Sequence, residues 1–330
     1  MIMPINSPQS NLLQRAIAPK WLPRTSTNFN GQEPANSSSI FYINDVHGKS
    51  INIERAVTAA NAFDKFVPSN TDVLKLSSGD IQLGEPVPAN RVMVEAQNIM
   101  GIMASAMGNH EYDTPDHIQE LIPHMQYKML ACNVNIDPKN PLYNKIQKSY
   151  IQNVNGTKYG IIGATPVDLF SRIKYGRIFE ELKIDNIDKT INDIQNEVDK
   201  LREQGVNKII LLSHVGFGYD QRIAKETDGI DIILGGHSHN LLIGAVPGIN
   251  LFNSKSGEPV VITQAGRDGR YFGVLNVDWD KNGVMTRIQN NVTSTRGFKR
   301  NPVVRHIFEE IVGRPKVIGV VNTAPPPPVN

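Results

Sequence analysis

The chain has 330 residues, 40% of them hydrophobic, with 34 Lys and Arg against 32 Asp and Glu. This is the make-up of a globular protein able to bury a sizeable core. The near-cancelling charge, with no basic cluster interleaved with aromatics, argues against a nucleic-acid polymer as partner.

Residues 1–38 are rich in Asn, Ser, Gln and Pro and lack hydrophobic periodicity, so they read as a flexible N-terminal tail that partly docks through Trp21 and Leu22. Leu12, Leu13, Ala16 and Ile17 are too broken by polar residues to form a signal-peptide core, which makes the cytoplasm the expected location. One folded domain is expected over 39–300. Within it short apolar runs (SIFYI, VLKL, MASAM, KMLACNV, YGIIGA, KIILL, DIIL, PVVIT and the region after Tyr271) read as strands, alternating with helical patterns over 51–66, 89–101, 115–125 and 184–204. The last of these is the clearest helix: Ile184, Ile187, Ile191, Ile194, Val198 and Leu201 recur at spacings of three and four, and Gly205 stops it. The alternation predicts a layered α/β fold. Cys132, the single cysteine, lies in MLACNV and reads as a buried thiol. Residues 301–330 read as a C-terminal helix followed by a proline-rich tail, because the run from Thr323 cannot supply helix or ladder amides. No apolar run reaches the roughly 18 residues of a helical membrane span.

The polar residues that follow these strands carry the chemical information. IFYI runs into Asn44-Asp45-Val46-His47-Gly48, VLKL into Ser77-Ser78-Gly79-Asp80, MASAM into Gly108-Asn109-His110-Glu111, KIILL into Ser213-His214, and DIIL into Gly235-Gly236-His237-Ser238-His239. In α/β sheets the carboxyl ends of the strands are where loops converge on a ligand. Singly these motifs are ordinary: Asp-x-His is most often a turn or cap, Gly-Asp is common turn chemistry, and a lone His214 reads as a core histidine. Together they are not, because His47, His110, His214, His237 and His239 all follow strands, while only three of the 8 histidines lie elsewhere.

The order Asp-x-His, Gly-Asp, Gly-Asn-His-Glu, His, Gly-His-x-His resembles the calcineurin-like metallophosphoesterase superfamily, and GNHEYD with QAGRDGRYFG resembles its 5'-nucleotidase branch. The resemblance covers residues 39–300 as the catalytic domain and implies a four-layer α/β/β/α sandwich with a two-metal site at the strand ends. It implies Asp45, His47, Asp80 and His239 as ligands of one divalent ion, and Asp80, Asn109, His214 and His237 as ligands of the other, with Asp80 bridging. It also implies His110 as the catalytic imidazole, oriented by Asp113; Glu111 is expected to brace a ligand or loop. Mixed N and O donors suit Zn, Mn, Fe or Co better than Ca or Mg, and such ions lower the pKa of bound water towards neutrality.

The expected activity is hydrolysis of phosphate monoesters, nucleotides foremost, as in a 5'-nucleotidase. A phosphodiesterase or UDP-sugar hydrolase on the same site is the first alternative, and a non-catalytic metal-binding interaction module the second. Members of the branch are commonly exported, and they continue into a second domain that contacts the nucleotide. VIGVV, just before the proline run, resembles the start of that domain. The nucleoside pocket is accordingly expected to be missing or supplied by a separate substrate-binding chain.

Overall fold

The structure, a computed structural model, describes residues 27–29, 34–84, 86–113, 115–173 and 181–313. Two sheets carry the fold. The first combines eight strands in the order β1-β16-β15-β2-β3-β4-β5-β7, namely β1 (Thr27–Asn28), β16 (Met285–Ser294), β15 (Tyr271–Trp279), β2 (Asn36–Ile43), β3 (Asp72–Ser77), β4 (Ala104–Ala106), β5 (Lys128–Leu130) and β7 (Ile146–Gln147). The second has the order β13-β14-β12-β11-β9-β8, namely β13 (Leu251–Asn253), β14 (Pro259–Thr263), β12 (Ile232–Leu234), β11 (Ile209–Ser213), β9 (Thr157–Ala164) and β8 (Ser149–Val154). A separate antiparallel pair joins β6 (Val134–Ile136) to β10 (Leu182–Ile184).

Strand alternation explains the layering. Ile40 and Tyr42 of β2 meet Ile210 and Leu212 of β11 in an apolar layer between the sheets. Phe41 and Ile43 point the other way, into a layer shared with helices α1 (Ser50–Phe66) and α2 (Val87–Met100). Ile209 and Leu211 face a third layer with α5 (Ile187–Glu203) and α6 (Phe217–Glu226). Three apolar layers make a four-layer α/β/β/α sandwich. The short helices α3 (Pro115–Leu121) and α4 (Leu169–Arg172) follow β4 and β9, and α7 (Pro302–Ile311) packs beside α1 and α2.

The expected helices are present with shifted ends. α5 starts at Ile187 because Ile184 belongs to β10 and the Asn186 side chain caps the helix by accepting from the Lys189 amide at 3.0 Å. KMLACNV does not form one strand: it breaks after Leu130, where the Ala131 amide bonds to Gln147 and the Cys132 amide crosses to Gly163 of the second sheet. Thr27 and Asn28 pair with Ile288 and Arg287, so sheet structure begins inside the segment expected to be a flexible tail. Trp21, Leu22, VIGVV and the proline run lie outside the described residues. Cys132 is buried, and burial pushes its thiol pKa up. Among the described residues no helix is long and apolar enough to cross a membrane.

The candidate metal centre

The loops after β2 and β3 continue as a pair beyond their strands. Ser78 donates to Ile43, Asp45 to Gly79, His47 to Asp80 and Gly48 to Ile81, through amides at 2.9 to 3.0 Å. This zipper fixes three sequence-predicted residues, Asp45, His47 and Asp80, in the left-handed region, with φ of 49°, 52° and 54°. His237 and His239, after β12, share that conformation, with φ of 69° and 60°. Asp and His tolerate it better than most residues, but it is uncommon outside glycine. Two glycines permit the approach of neighbouring loops: a Cβ at Gly108 would stand 2.2 Å from Asp80 Oδ1, and one at Gly236 would stand 2.6 Å from His214 Nδ1.

The result is a cluster of donors with spacings that suit shared ions. His239 Nε2 lies 3.3 Å from Asp45 Oδ1, and His47 Nε2 lies 3.7 Å from the same oxygen and 3.6 Å from Asp80 Oδ2. His214 Nε2 is 3.1 Å from Asp80 Oδ2, and His237 Nδ1 is 3.0 Å from Asn109 Oδ1. Ligands about 2.0–2.2 Å from one ion stand roughly 3–3.6 Å apart, so most of these separations are those of atoms sharing a metal. Three groups of potential ligand atoms emerge: Asp45, His47 and His239; Asp80, His214 and His237; and His47, Asp80 and His110. All seven residues expected to be ligands are thus in one cluster, with Asp80 between its halves.

His214 gives the sharpest test of fit. Its Nδ1 donates to the Ser78 carbonyl, which leaves Nε2 as the lone-pair nitrogen in the neutral tautomer; that atom is fully buried and has no properly directed hydrogen bond. A buried orphan nitrogen is costly unless something takes its lone pair. Burial opposes charge on His214, but Asp80, whose Oδ2 lies 3.1 Å from Nε2, with Asp45 and the Ser78 carbonyl outweighs it and raises the pKa to about 10, so Nε2 holds either a proton facing Asp80 or, in its place, a cation. Burial and the neighbouring His214 hold His237 below its ordinary value, towards the neutral form that coordinates. The donor set therefore fits divalent transition metals.

His110 stands at the edge. Its Nδ1 is 2.6 Å from Asp113 Oδ2, its Nε2 is 3.9 Å from Asp80 Oδ2, and its amide donates to Asp80 Oδ1 at 2.8 Å. Burial pulls its pKa down, and the Asp113 hydrogen bond with the surrounding carboxylates more than reverses this. Asp113 also accepts from the Gly84 amide at 2.6 Å. Glu111 is a buried clamp: Oε2 accepts from the amides of Asp80 and Gly108 at 2.8 and 2.9 Å, and Oε1 from those of Ile81 and Gln82 at 2.9 and 3.4 Å.

The calcineurin-like phosphoesterase family profile matches residues 38–241, more than half of the chain. The chain belongs to the calcineurin-like phosphoesterase family. It is 30% identical over 331 aligned positions to the 5'-nucleotidase of Mus musculus, a match that covers 88% of this chain and 55% of the relative. The chain spans about half the length of the curated relatives it matches. Its fold resembles the crystal structure of a 5'-nucleotidase precursor from Thermus thermophilus, with a TM-score of 0.74 at 22% identity, covering 84% of this chain and 58% of that one. It also resembles a calcineurin-like phosphoesterase from Bacillus subtilis, with a TM-score of 0.67 at 20% identity, covering 84% and 97%.

Several residues of this family member's site escaped the sequence reading. Asp268, with φ of 60°, places Oδ1 3.4 Å from His47 Nδ1 and is itself held by Arg270 at 3.1 Å. Asp168, in the loop after β9, lies 3.6 Å from His237 Nε2. Gln264 accepts from Ser238 and the Asn240 amide and so holds the loop that carries His237 and His239. Asp268 and Gln264 sit inside QAGRDGRYFG, which was recognisable as a motif but had no strand-end histidine to mark its role.

Proposed function

We propose that this chain is a binuclear metal-dependent hydrolase of phosphate monoesters, acting on nucleotides. The observation that carries the reading is the position of Asp80: Oδ2 lies 3.6 Å from His47 Nε2 on one side and 3.1 Å from His214 Nε2 on the other, so one carboxylate faces both halves of the donor cluster. Asp45, His47, Asp80 and His239 would hold one ion, and Asp80, Asn109, His214 and His237 the other. Such a pair supplies Lewis acidity and ionises a water near neutral pH. Two carboxylates among five neutral donors leave a net positive field, which attracts a phosphate dianion.

The remaining steps belong to side chains. His110, held in one orientation by Asp113, presents Nε2 to the leaving oxygen and donates a proton to it. The organic part of the ester fits a cavity of about 420 Å³ beside His237, lined by Val167, Val215, Phe217 and Tyr219 with Arg172 and Arg222 at its rim. This is within the usual size of a small-molecule site. It offers the leaving group a place on this chain, as an alternative to a nucleoside pocket that is missing or supplied by another chain.

The test combines metal analysis with hydrolysis of p-nitrophenyl phosphate and bis-p-nitrophenyl phosphate. Two ions per chain and preference for the monoester are expected, and Asp80→Asn should lower metal content more than any other single ligand substitution. A preference for the diester would move the reading to a phosphodiesterase. Full activity with one bound ion would overturn the binuclear site, and metal uptake without turnover of either ester would leave a binding module.

A further inference from the structure

On the His47 side of the centre, away from the cavity beside His237, lies a second cavity of about 540 Å³ that the hydrolytic reading does not use. It is lined by Gly48, which follows His47, by the first turn of α1, and by Lys49, Arg55, Arg270 and Arg296. Four cations meet in a chain whose formal net charge is only +2. Three of them, Lys49, Arg55 and Arg296, have no side-chain partner among the described residues.

The neighbouring carboxylates are already committed. Glu54, next to Arg55 in sequence, is fully buried and gripped by Arg300 at 2.5 and 2.7 Å. Asp268 is divided among Arg270, Arg267 and His47. Arg55 Nε is buried and has no hydrogen-bond partner. An orphaned guanidinium N–H of this kind is expensive, because the lost hydration is not replaced. The first turn of α1, whose Ser50, Ile51 and Asn52 line the cavity, has no side-chain cap and no acidic residue, so no carboxylate of its own offsets the positive end of the helix there.

We propose that this basic cavity is a second anion site, which binds a phosphoryl group other than the one hydrolysed. Guanidinium forks and helix-end amides suit the several oxygens of a phosphoryl group better than a single carboxylate. The group has two possible sources: a second phosphoryl group on the substrate, as in a nucleoside bisphosphate, or free inorganic phosphate. The substrate arm of the test rests on the phosphoesterase reading, whereas the binding arm does not.

In the binding arm, inorganic phosphate is titrated calorimetrically into the 330-residue chain stripped of metal with a chelator. One site is expected, weakened at least tenfold by Arg55→Gln and by the exposed-site change Arg296→Ala, and unaffected by His110→Ala. In the kinetic arm, the metal-loaded chain hydrolyses p-nitrophenyl phosphate or adenosine 3',5'-bisphosphate. A tenfold rise in KM for the bisphosphate in both variants, with p-nitrophenyl phosphate as the unaffected control, assigns the site to the substrate's second phosphoryl group. Loss of phosphate binding with unchanged KM for both esters assigns it to free phosphate. Absence of phosphate binding to the metal-free chain, or binding indifferent to both substitutions, overturns the proposal even if the esters are hydrolysed.

Discussion

Replacing Asp113 by Asn separates the proposed proton donor from the proposed ligands. The Asp113 carboxylate bonds His110 Nδ1 at 2.6 Å and the Gly84 amide at 2.6 Å, so one group aims the imidazole and anchors its loop. A hydrogen bond to a charged partner contributes about 1.5–3 kcal/mol, and each 1.36 kcal/mol is tenfold in rate. Both side chains are mostly shielded, so the figure needs little discount for solvent screening. Asp113→Asn should therefore lower kcat about 10- to 150-fold, and His110→Ala, which removes the donor, about 10²- to 10⁴-fold. Both variants should keep their metal.

The pH profile adds a sign. The carboxylates raise the His110 pKa, so its charged form persists to higher pH, and a step that needs His110 to donate is lost as pH rises through that raised value. Without the Asp113 charge, the alkaline limb of kcat should move to lower pH. Stopped-time assays with p-nitrophenyl phosphate between pH 5 and 10, read against metal content, give both quantities. An unmoved alkaline limb, or metal loss in His110→Ala, would refute the division between donor and ligand.

Other consequences are equally direct. Metal binding should release protons and tighten as pH rises towards the His214 value of about 10, because below it the metal must displace the imidazolium proton; calorimetry in two buffers of different ionisation enthalpy measures this, and a pH-independent affinity would contradict it. Asp268→Asn should weaken affinity for the ion proposed at His47 about 10- to 100-fold, as loss of a group that orients a ligand does elsewhere; equilibrium dialysis against a chelator series is the check. Glu111→Gln should cost about 3 kcal/mol in denaturant unfolding of the chelated chain, because either orientation of the amide turns its NH₂ towards two N–H donors. A loss below about 0.5 kcal/mol, within the range of ordinary surface changes, would show that the clamp is not needed.

What was legible in the sequence follows from how each residue is held. IFYI, VLKL, KIILL and DIIL are short because each crosses a sandwich buried on both faces, and the chain turns polar where the sheet ends; the ligand-type residues therefore announced themselves by position. KMLACNV misled because burial continues across Ala131 and Cys132 while the chain passes from one sheet to the other. The crossing is tight: a Cβ at Gly163 would meet Leu130 Cβ at 2.3 Å, a closeness that no hydrophobic pattern displays. α6 escaped because only Ile223 and Ala224 supply its buried apolar contact. Asp168, Asp268 and Gln264 escaped because they act through the partner they orient, and neither a loop aspartate nor a glutamine carries a sign of its target.

The backbone at the site is the part that no motif could disclose. Eight non-glycine residues among those described have positive φ, and six of them, Asp45, His47, Asp80, His237, His239 and Asp268, belong to the centre. Each such residue costs roughly 1 kcal/mol or more, and the cost persists only where the surroundings over-determine it. Here the surroundings are visible: the amides of Asp45 and His47 are tied across to the loop after β3, the Asp80 amide is tied to Glu111, and the His237 amide bonds to the Asp45 carboxylate at 3.1 Å. These bonds join the loops of both sheets. The strain is thus opposed by the protein's own contacts, which hold the donors at coordination spacing.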